Sequence, residues 1–251
     1  MHSGPGGPKT MRTLSPSRPE LLRSFLKGNT LLGGLPEAAL ENLVRKGRSR
    51  TFAKGDVIYR RGEPGDSLMV ILSGRVKITN VNADVREVVL GFQGAGDVVG
   101  EIAVLSSKQR TANTIALEDT EAFVIPGRDL LAALMANPQA MIEMSQMLCE
   151  KLQAASAIIE DSTLAMQGRA AKGLLRLAYQ HGRRTRDGSI RIDLMLTQDD
   201  LGKYLGLSRA NVSRQLRHLK VVNVIKIEGA QVVITNENGL AELAESAQAH
   251  D

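Results

Sequence analysis

The chain contains no tryptophan, and aromatic residues make up only 3% of it. Its cores must therefore be aliphatic, built from Leu, Val, Ile, Ala and Met. Cysteine occurs once, at Cys149, which excludes an internal disulfide and any all-cysteine metal or iron–sulfur site within one chain. The histidines His2, His181, His218 and His250 are scattered, and none lies between residues 20 and 137. A haem or zinc site there would lack its commonest ligand. No run reaches the roughly 18 apolar residues of a membrane span, and the first residues lack the apolar core of a signal peptide. Residues 1–20, rich in Gly, Pro and Ser, read as a mobile N-terminal arm, and the cytoplasm is the simplest location.

What is present is ordinary in bulk and uneven in detail. A chain of 251 residues has room for two modest domains or one large one. Its charge is not evenly spread: residues 166–235 hold thirteen Lys/Arg against five Asp/Glu, whereas residues 20–137 are nearly balanced at fifteen against fourteen. A polyanion-binding C-terminal part fits this asymmetry, and so does a merely solvated basic surface.

From Arg50 to Ile125 short apolar runs alternate with glycines. Leu68–Leu72 reads as a buried strand, Ser73-Gly74 as a turn, and Val76 and Ile78 as the inward face of a second strand closing a hairpin. Val88–Leu90, Thr114–Ala116 and Phe123–Ile125 continue the pattern. Short strands at this spacing predict a small barrel or roll, not a parallel α/β sheet.

After Asn137-Pro138 the texture becomes helical to about Ala165, with no Gly or Pro from Gln139 on. Met141, Met144, Leu148, Leu152, Ala155, Ile159 and Ser162 recur at spacings of three or four, one face of a helix. About 26 residues extend roughly 39 Å, longer than a small barrel is wide. A seam with a second copy of the chain is therefore expected, the other reading being a helix lying on its own barrel. Residues 166–247 then read as a helix (Gly168–Gln180), a basic loop (His181–Gly188), a short strand, two short helices, a hairpin and a terminal helix. That is the arrangement of a winged helix.

Within it, LTQDDLGKYLGLSRANVSRQLRHLK (196–220) carries the most information. Thr197 is a good N-cap, and Asp199 and Asp200 suit the positive end of the helix that follows. Gly206 can make a sharp turn, and Ser208 caps a second helix with Val212, Leu216 and Leu219 on its buried face. Its opposite arc holds Ala210, Ser213, Arg214 and Arg217, with Arg209 and Asn211 in the first turn. Arginine can grip guanine and asparagine adenine in the major groove, and the start of a recognition helix is what reaches base edges. Double-stranded DNA is the expected partner.

GEIAVLSSKQRTANTIA (100–116) is the second constellation. Gly100 before a short helix offers backbone N–H groups to a phosphate, while Arg110 supplies a guanidinium and Thr111 a hydroxyl. Glu101, acceptor-only when ionised, suits a sugar hydroxyl better. Taken alone, such a pair is more often a surface salt bridge. Its surroundings, KGDVIYRRGEPGDSLMVILSGRVKI (54–78) and VVGEIAVLSSKQRTANTIA (98–116), resemble the cyclic-nucleotide-binding domain of the catabolite-activator (CRP/FNR) family. Gly55, Gly62, Gly65, Gly74, Asp66, Gly100-Glu101 and Arg110-Thr111-Ala112 fall where that pattern puts them, and the resemblance runs over about residues 22–235.

The resemblance implies an α+β chain: an N-terminal cyclic-nucleotide-binding β-roll (double-stranded β-helix) over 21–137, a dimerisation helix over 138–165, and a winged helix-turn-helix over 166–247. It implies a homodimeric transcription regulator, not an enzyme, with cAMP or cGMP as effector, no prosthetic group, and RNA polymerase as a further partner. Gly100, Glu101, Ile102, Arg110, Thr111 and Ala112 would meet the ligand's phosphate and ribose, and Lys151, Ala155 and Ser156 its base. Thr197, Ser208, Arg209, Ala210, Asn211, Ser213, Arg214 and Arg217 would meet DNA. Two departures matter. Ala155 stands where the family often has a Thr that meets adenine, and Thr111 is the residue cGMP-binding relatives often carry, so cAMP is expected with cGMP as a second or even main ligand. Ala210 stands where readers of a TGTGA-type half-site have Glu, so readout at one base pair should relax. Three other readings remain open: a family member that needs no ligand or senses another effector, a cyclic-nucleotide module regulating an attached enzyme or channel, and an enzyme using Glu101 and Arg110 on a phosphodiester, for which no nucleophile, paired base or metal cluster is seen.

Overall fold

A computed structural model describes residues 18–28, 32–81 and 86–246, so the expected N-terminal arm lies almost wholly outside the described residues. The chain divides into two compact units, one of residues up to 80 with 91–149, the other of 81–90 with the residues from 150 on.

The first unit is a two-sheet roll with helices on one side. Its strands are β1 (Arg48–Phe52), β2 (Val57–Tyr59), β3 (Ser67–Ser73), β4 (Val76–Val81), β5 (Glu87–Gln93, part of which falls in the second unit), β6 (Val98–Val99), β7 (Asn113–Ala116) and β8 (Thr120–Pro126). They form two four-stranded sheets, in the orders β1-β8-β3-β6 and β2-β7-β4-β5. Helices α1 (Arg18–Lys27), α2 (Glu37–Lys46), α3 (Glu101–Leu105) and α4 (Gly127–Met135) join them, with the start of α5 (Pro138–Asp161). The unbroken apolar run of β3 now has a reason. Leu68 and Val70 face a cluster with Leu26, Leu40, Leu43, Leu130 and Leu134 of the helices, while Met69 and Ile71 face the interior between the sheets with Phe52, Tyr59, Val76 and Val124. A strand buried on both faces does not alternate.

The expected hairpin of β3 with β4 is corrected. β3 pairs antiparallel with β8 and β6, and β4 with β7, so Ser73-Gly74 passes the chain from one sheet to the other. Gly74 has φ of +83°, and a Cβ there would come within 2.5 Å of the Asp119 carbonyl. Only glycine fits so close a crossing. The burial pattern of β4 shifts accordingly: Thr79 is fully buried and Ile78 only half.

The long helix also differs from expectation. It ends at Asp161, not near Ala165, because the Ser162 and Thr163 hydroxyls donate back to the carbonyls of Ile159 and Glu160 and offer the backbone an alternative to further helix. Its apolar stripe divides in two. Met144 is buried in the first unit's core, with Met141 and Leu148 packed against that core. Leu152 and Ile159 are 68% and 70% exposed.

The second unit continues with α6 (Met166–His181), β9 (Gly182–Arg184), β10 (Ile190–Ile192), α7 (Gln198–Leu205), α8 (Arg209–Val221), β11 (Ile225–Glu228), β12 (Gln231–Ile234) and α9 (Glu237–Ser246). The strands make one sheet in the order β11-β12-β10-β9. The sequence placed a basic loop where β9 begins; Arg183 and Arg184 instead pair in register with Arg191 and Ile190. Leu174, Leu177, Leu201, Leu216 and Leu219 make up much of the core. Buried Asp161 anchors the end of α5: Arg176 donates to it at 2.6 Å and, through Nε, to the Tyr204 hydroxyl on α7 at 2.8 Å.

Candidate functional site

In the first unit the cassette residues Gly100, Glu101, Ile102, Arg110, Thr111 and Ala112 lie on α3 and on the segment leading into β7. Gly100 caps α3 with φ of +90°, and a Cβ on it would fall 2.5 Å from Arg110 Nη1 and 2.9 Å from the Tyr59 ring. Glycine is therefore required twice over, by conformation and by space. Glu101 is 3% exposed and partnered within the chain, Ile102 is 46% exposed, Thr111 is exposed and Ala112 half-buried.

Arg110 is the most constrained of the set. Its main chain is tied on both sides, Arg110 N donating to the Glu63 carbonyl and its carbonyl accepting from Gly62 N. Its side chain is 3% exposed. Nη1 donates to the Gly100 carbonyl at 3.1 Å and Nη2 to Ser67 Oγ at 3.2 Å. The guanidinium carbon lies 3.5 Å from the centroid of the Tyr59 ring, the geometry of a cation over an aromatic face. Asp66 stands 3.7 Å from Nη2, largely exposed. Nε is buried and has no hydrogen-bond partner among the described residues. Burial pushes the Tyr59 hydroxyl above its ordinary 10.0, against the pull of the Arg110 charge, so that ring stays neutral under the cation.

Tyr59 and Ser67 were not singled out from the sequence. Ser67 is 43 residues from Arg110 along the chain, a distance no local pattern bridges. One signal existed: Tyr59 ends a short apolar run in a chain with only three tyrosines, and a buried tyrosine brings a polar tip that needs a use. Lys151, Ala155 and Ser156 sit on α5 within the second unit, Lys151 half-buried and the other two exposed.

The second unit contains the expected two-helix element. Thr197 caps α7 by accepting from Asp200 N at 3.0 Å, and its own hydroxyl donates to the Asp200 carboxylate at 2.6 Å, a reciprocal cap. Gly206 closes α7 in the left-handed region, and Ser208 caps α8, accepting from Asn211 N at 3.2 Å. Leu201, Tyr204 and Leu205 of α7 and Val212, Leu216 and Leu219 of α8 are buried. That leaves Ser208, Arg209, Ala210, Arg214 and Arg217 exposed and Asn211 and Ser213 half-exposed; Thr197 is exposed as well. Among the described residues none forms a hydrogen bond or ion pair with the Arg209, Arg214 or Arg217 side chains. Beside α8, β11 and β12 form a hairpin turning at Gly229-Ala230. Exposed cations on a capped helix, flanked by a hairpin, can meet a phosphate backbone and base edges together.

Two domain families match the chain. The cyclic nucleotide-binding domain family matches residues 49–137, and the Crp-like helix-turn-helix domain family matches residues 168–243. The chain is similar to the CRP-like cAMP-activated global transcriptional regulator of Mycobacterium tuberculosis, with 30% identity over 213 residues, 84% of this chain and 94% of that protein. It is also similar to the fumarate and nitrate reduction regulatory protein of Yersinia pestis, with 30% identity over 207 residues, 82% of this chain and 81% of that one. Among solved structures, FixK2 from Bradyrhizobium japonicum shares the fold at a TM-score of 0.69 and 24% identity, over 78% of this chain and 96% of that one. No helix of the described residues is long and apolar enough to cross a membrane.

Proposed function

The chain belongs to the CRP/FNR family of DNA-binding transcription regulators, and we propose that it acts as a homodimer gripping a palindromic operator when loaded with cAMP, with cGMP as a second ligand. The observation that carries the effector half is Arg110: a buried guanidinium whose Nε–H has no acceptor among the described residues. A buried charged donor left unpaired is costly, and the singly charged phosphate of a cyclic nucleotide supplies the missing oxygen. In this reading Arg110 holds the phosphate, the backbone N–H groups from Gly100 into Ile102, the Thr111 hydroxyl and the Ala112 N–H assist it, and Glu101 takes the ribose hydroxyl. Lys151, Ala155 and Ser156 face the base. Ala155 has no hydroxyl for adenine's amino group, so discrimination against guanine is weak.

On the DNA side Arg209 and Arg214 read guanine, Asn211 reads adenine, Ser208, Ser213 and Arg217 hold phosphates, and Thr197 lies at the same interface as the cap of α7. Ala210 offers no acceptor to a cytosine amine and leaves its base pair loosely read. Exposed Leu152 and Ile159 support a self-association seam along the later part of α5, which would set two recognition helices about 34 Å apart, one turn of DNA. The working boundaries are an effector domain over 21–137, a dimerisation helix over 138–165 and a DNA-binding domain over 166–247, with RNA polymerase as a further partner. Effector and operator are linked only if the ligand binds the DNA-competent state more tightly.

Calorimetric titration of the full chain with cAMP and cGMP side by side tests this. The expected result is saturable binding of both at one site per chain, lost in Arg110→Ala. No binding of either by the wild type would remove the effector assignment and leave the DNA-binding one standing.

A further inference from the structure

We infer that Tyr59 is a positioning residue for the effector site, its ring face fixing the plane of the Arg110 guanidinium so that the edge stays available to an oxyanion. This rests on the effector reading above and adds a residue to it. A guanidinium has two ways of being held. Partners in its plane consume N–H donors, whereas a ring beneath it touches only the face and consumes none. Arg110 is held mainly from beneath: the Tyr59 ring lies 3.5 Å from the guanidinium carbon, and Tyr59 itself is 7% exposed and packed in the core between the sheets with Ile58, Met69 and Val99. The ring is therefore a fixed floor. Gly100 completes the fit, since a Cβ there would strike both the guanidinium and the ring.

The in-plane partners are few and neutral at short range: the Gly100 carbonyl on Nη1 and the Ser67 hydroxyl on Nη2. The Ser67 hydroxyl accepts from Nη2 while it donates to Asp66 at 3.0 Å, and the Tyr59 hydroxyl lies 3.5 Å from it. A ligand oxygen therefore meets Arg110 beside a neutral acceptor, not in competition with a carboxylate at hydrogen-bond distance. Nε, buried and without a partner among the described residues, is the donor this arrangement leaves over. The Tyr59 hydroxyl also faces Arg110, but the stacking itself belongs to the ring face, which phenylalanine keeps.

Two readouts on the full chain test the inference: the NMR shift of the Arg110 side-chain protons, which a ring face moves upfield, and the calorimetric affinity for cAMP. The wild type and Tyr59→Phe should show upfield Arg110 resonances and equal affinities within about twofold. Tyr59→Leu should lose the upfield shift and weaken cAMP binding about tenfold or more, the size of a buried cation–ring contact. Absence of the upfield shift in the wild type overturns the inference, and that outcome does not depend on whether Tyr59→Leu folds. Unchanged affinity in a folded Tyr59→Leu overturns it as well. A wild type that shows the shift and binds neither cAMP nor cGMP fails at the effector reading, and the positioning role falls with it.

Discussion

Arginine serves the two units in opposite ways. In the first, Arg110 is buried, stacked on a ring and tied to a carbonyl and a hydroxyl, with one donor left over among the described residues. In the second, Arg209, Arg214 and Arg217 stand exposed on α8 with no described partner. A small ligand enclosed in a roll rewards a cation whose orientation is set in advance, because ordering it after binding would cost affinity. A polyanionic duplex rewards cations that reach outward and adjust, because field and groove do the steering. The same side chain is structural in one setting and free in the other, and its surroundings decide which.

That contrast can be broken most severely at Arg110. Replacing it by alanine should weaken cAMP binding by more than about a hundredfold, in keeping with the roughly 2–5 kcal/mol of a buried charged hydrogen-bonding partner, while circular dichroism shows the fold kept. Next comes a buried arginine on the other side of the comparison. Asp161→Asn removes the carboxylate that holds Arg176, and denaturant unfolding should show a loss of about 3 kcal/mol, since one partner of a buried pair is stranded. Such a loss would show that burial, not membership of one unit, makes an arginine structural here. Arg214→Ala should leave stability and cAMP affinity untouched and lower operator affinity by about 1–3 kcal/mol per half-site, measured by fluorescence anisotropy.

The smallest effect concerns the ring beneath Arg110. Burial raises the Tyr59 hydroxyl above its ordinary 10.0, so on raising the pH the unfolded chain gives up that proton first. Its share of stability is whole below pH 10.0 and drains away as the pH climbs through the higher folded-state value. Tyr59→Phe should flatten that part of the alkaline unfolding curve and change nothing at neutral pH.

How much the sequence revealed follows from how local each interaction is. The α7–α8 element was legible to the residue: its caps at Thr197 and Ser208, its turn at Gly206 and its buried face at Val212, Leu216 and Leu219 all act within a few positions. The strands of the roll were legible as strands but not as partners. β3 and β4 are neighbours in sequence and lie in different sheets, because one sharp glycine can turn a hairpin or change sheets and the pattern is the same for both. The end of α5 was missed for a subtler reason: Ser162 and Thr163 break a helix by bonding back to it, which composition does not reveal. The stripe along α5 was seen, but not its division between a part packed in the first unit's core and a part left exposed. Arg110 itself was found from its cassette. Its floor and its edge, Tyr59 and Ser67, come from strands that only folding brings to it.

The central claim is that the buried arginine and the exposed ones are coupled through the effector. It is tested most directly by anisotropy titration of the full chain onto a duplex selected by the protein from random DNA, with no nucleotide, with cAMP and with cGMP. The account predicts that cAMP tightens binding by about fivefold to 150-fold, the usual range of such couplings, that cGMP does so to some degree, and that Arg110→Ala shows neither response. Equal affinity for the selected duplex with and without both nucleotides would contradict it.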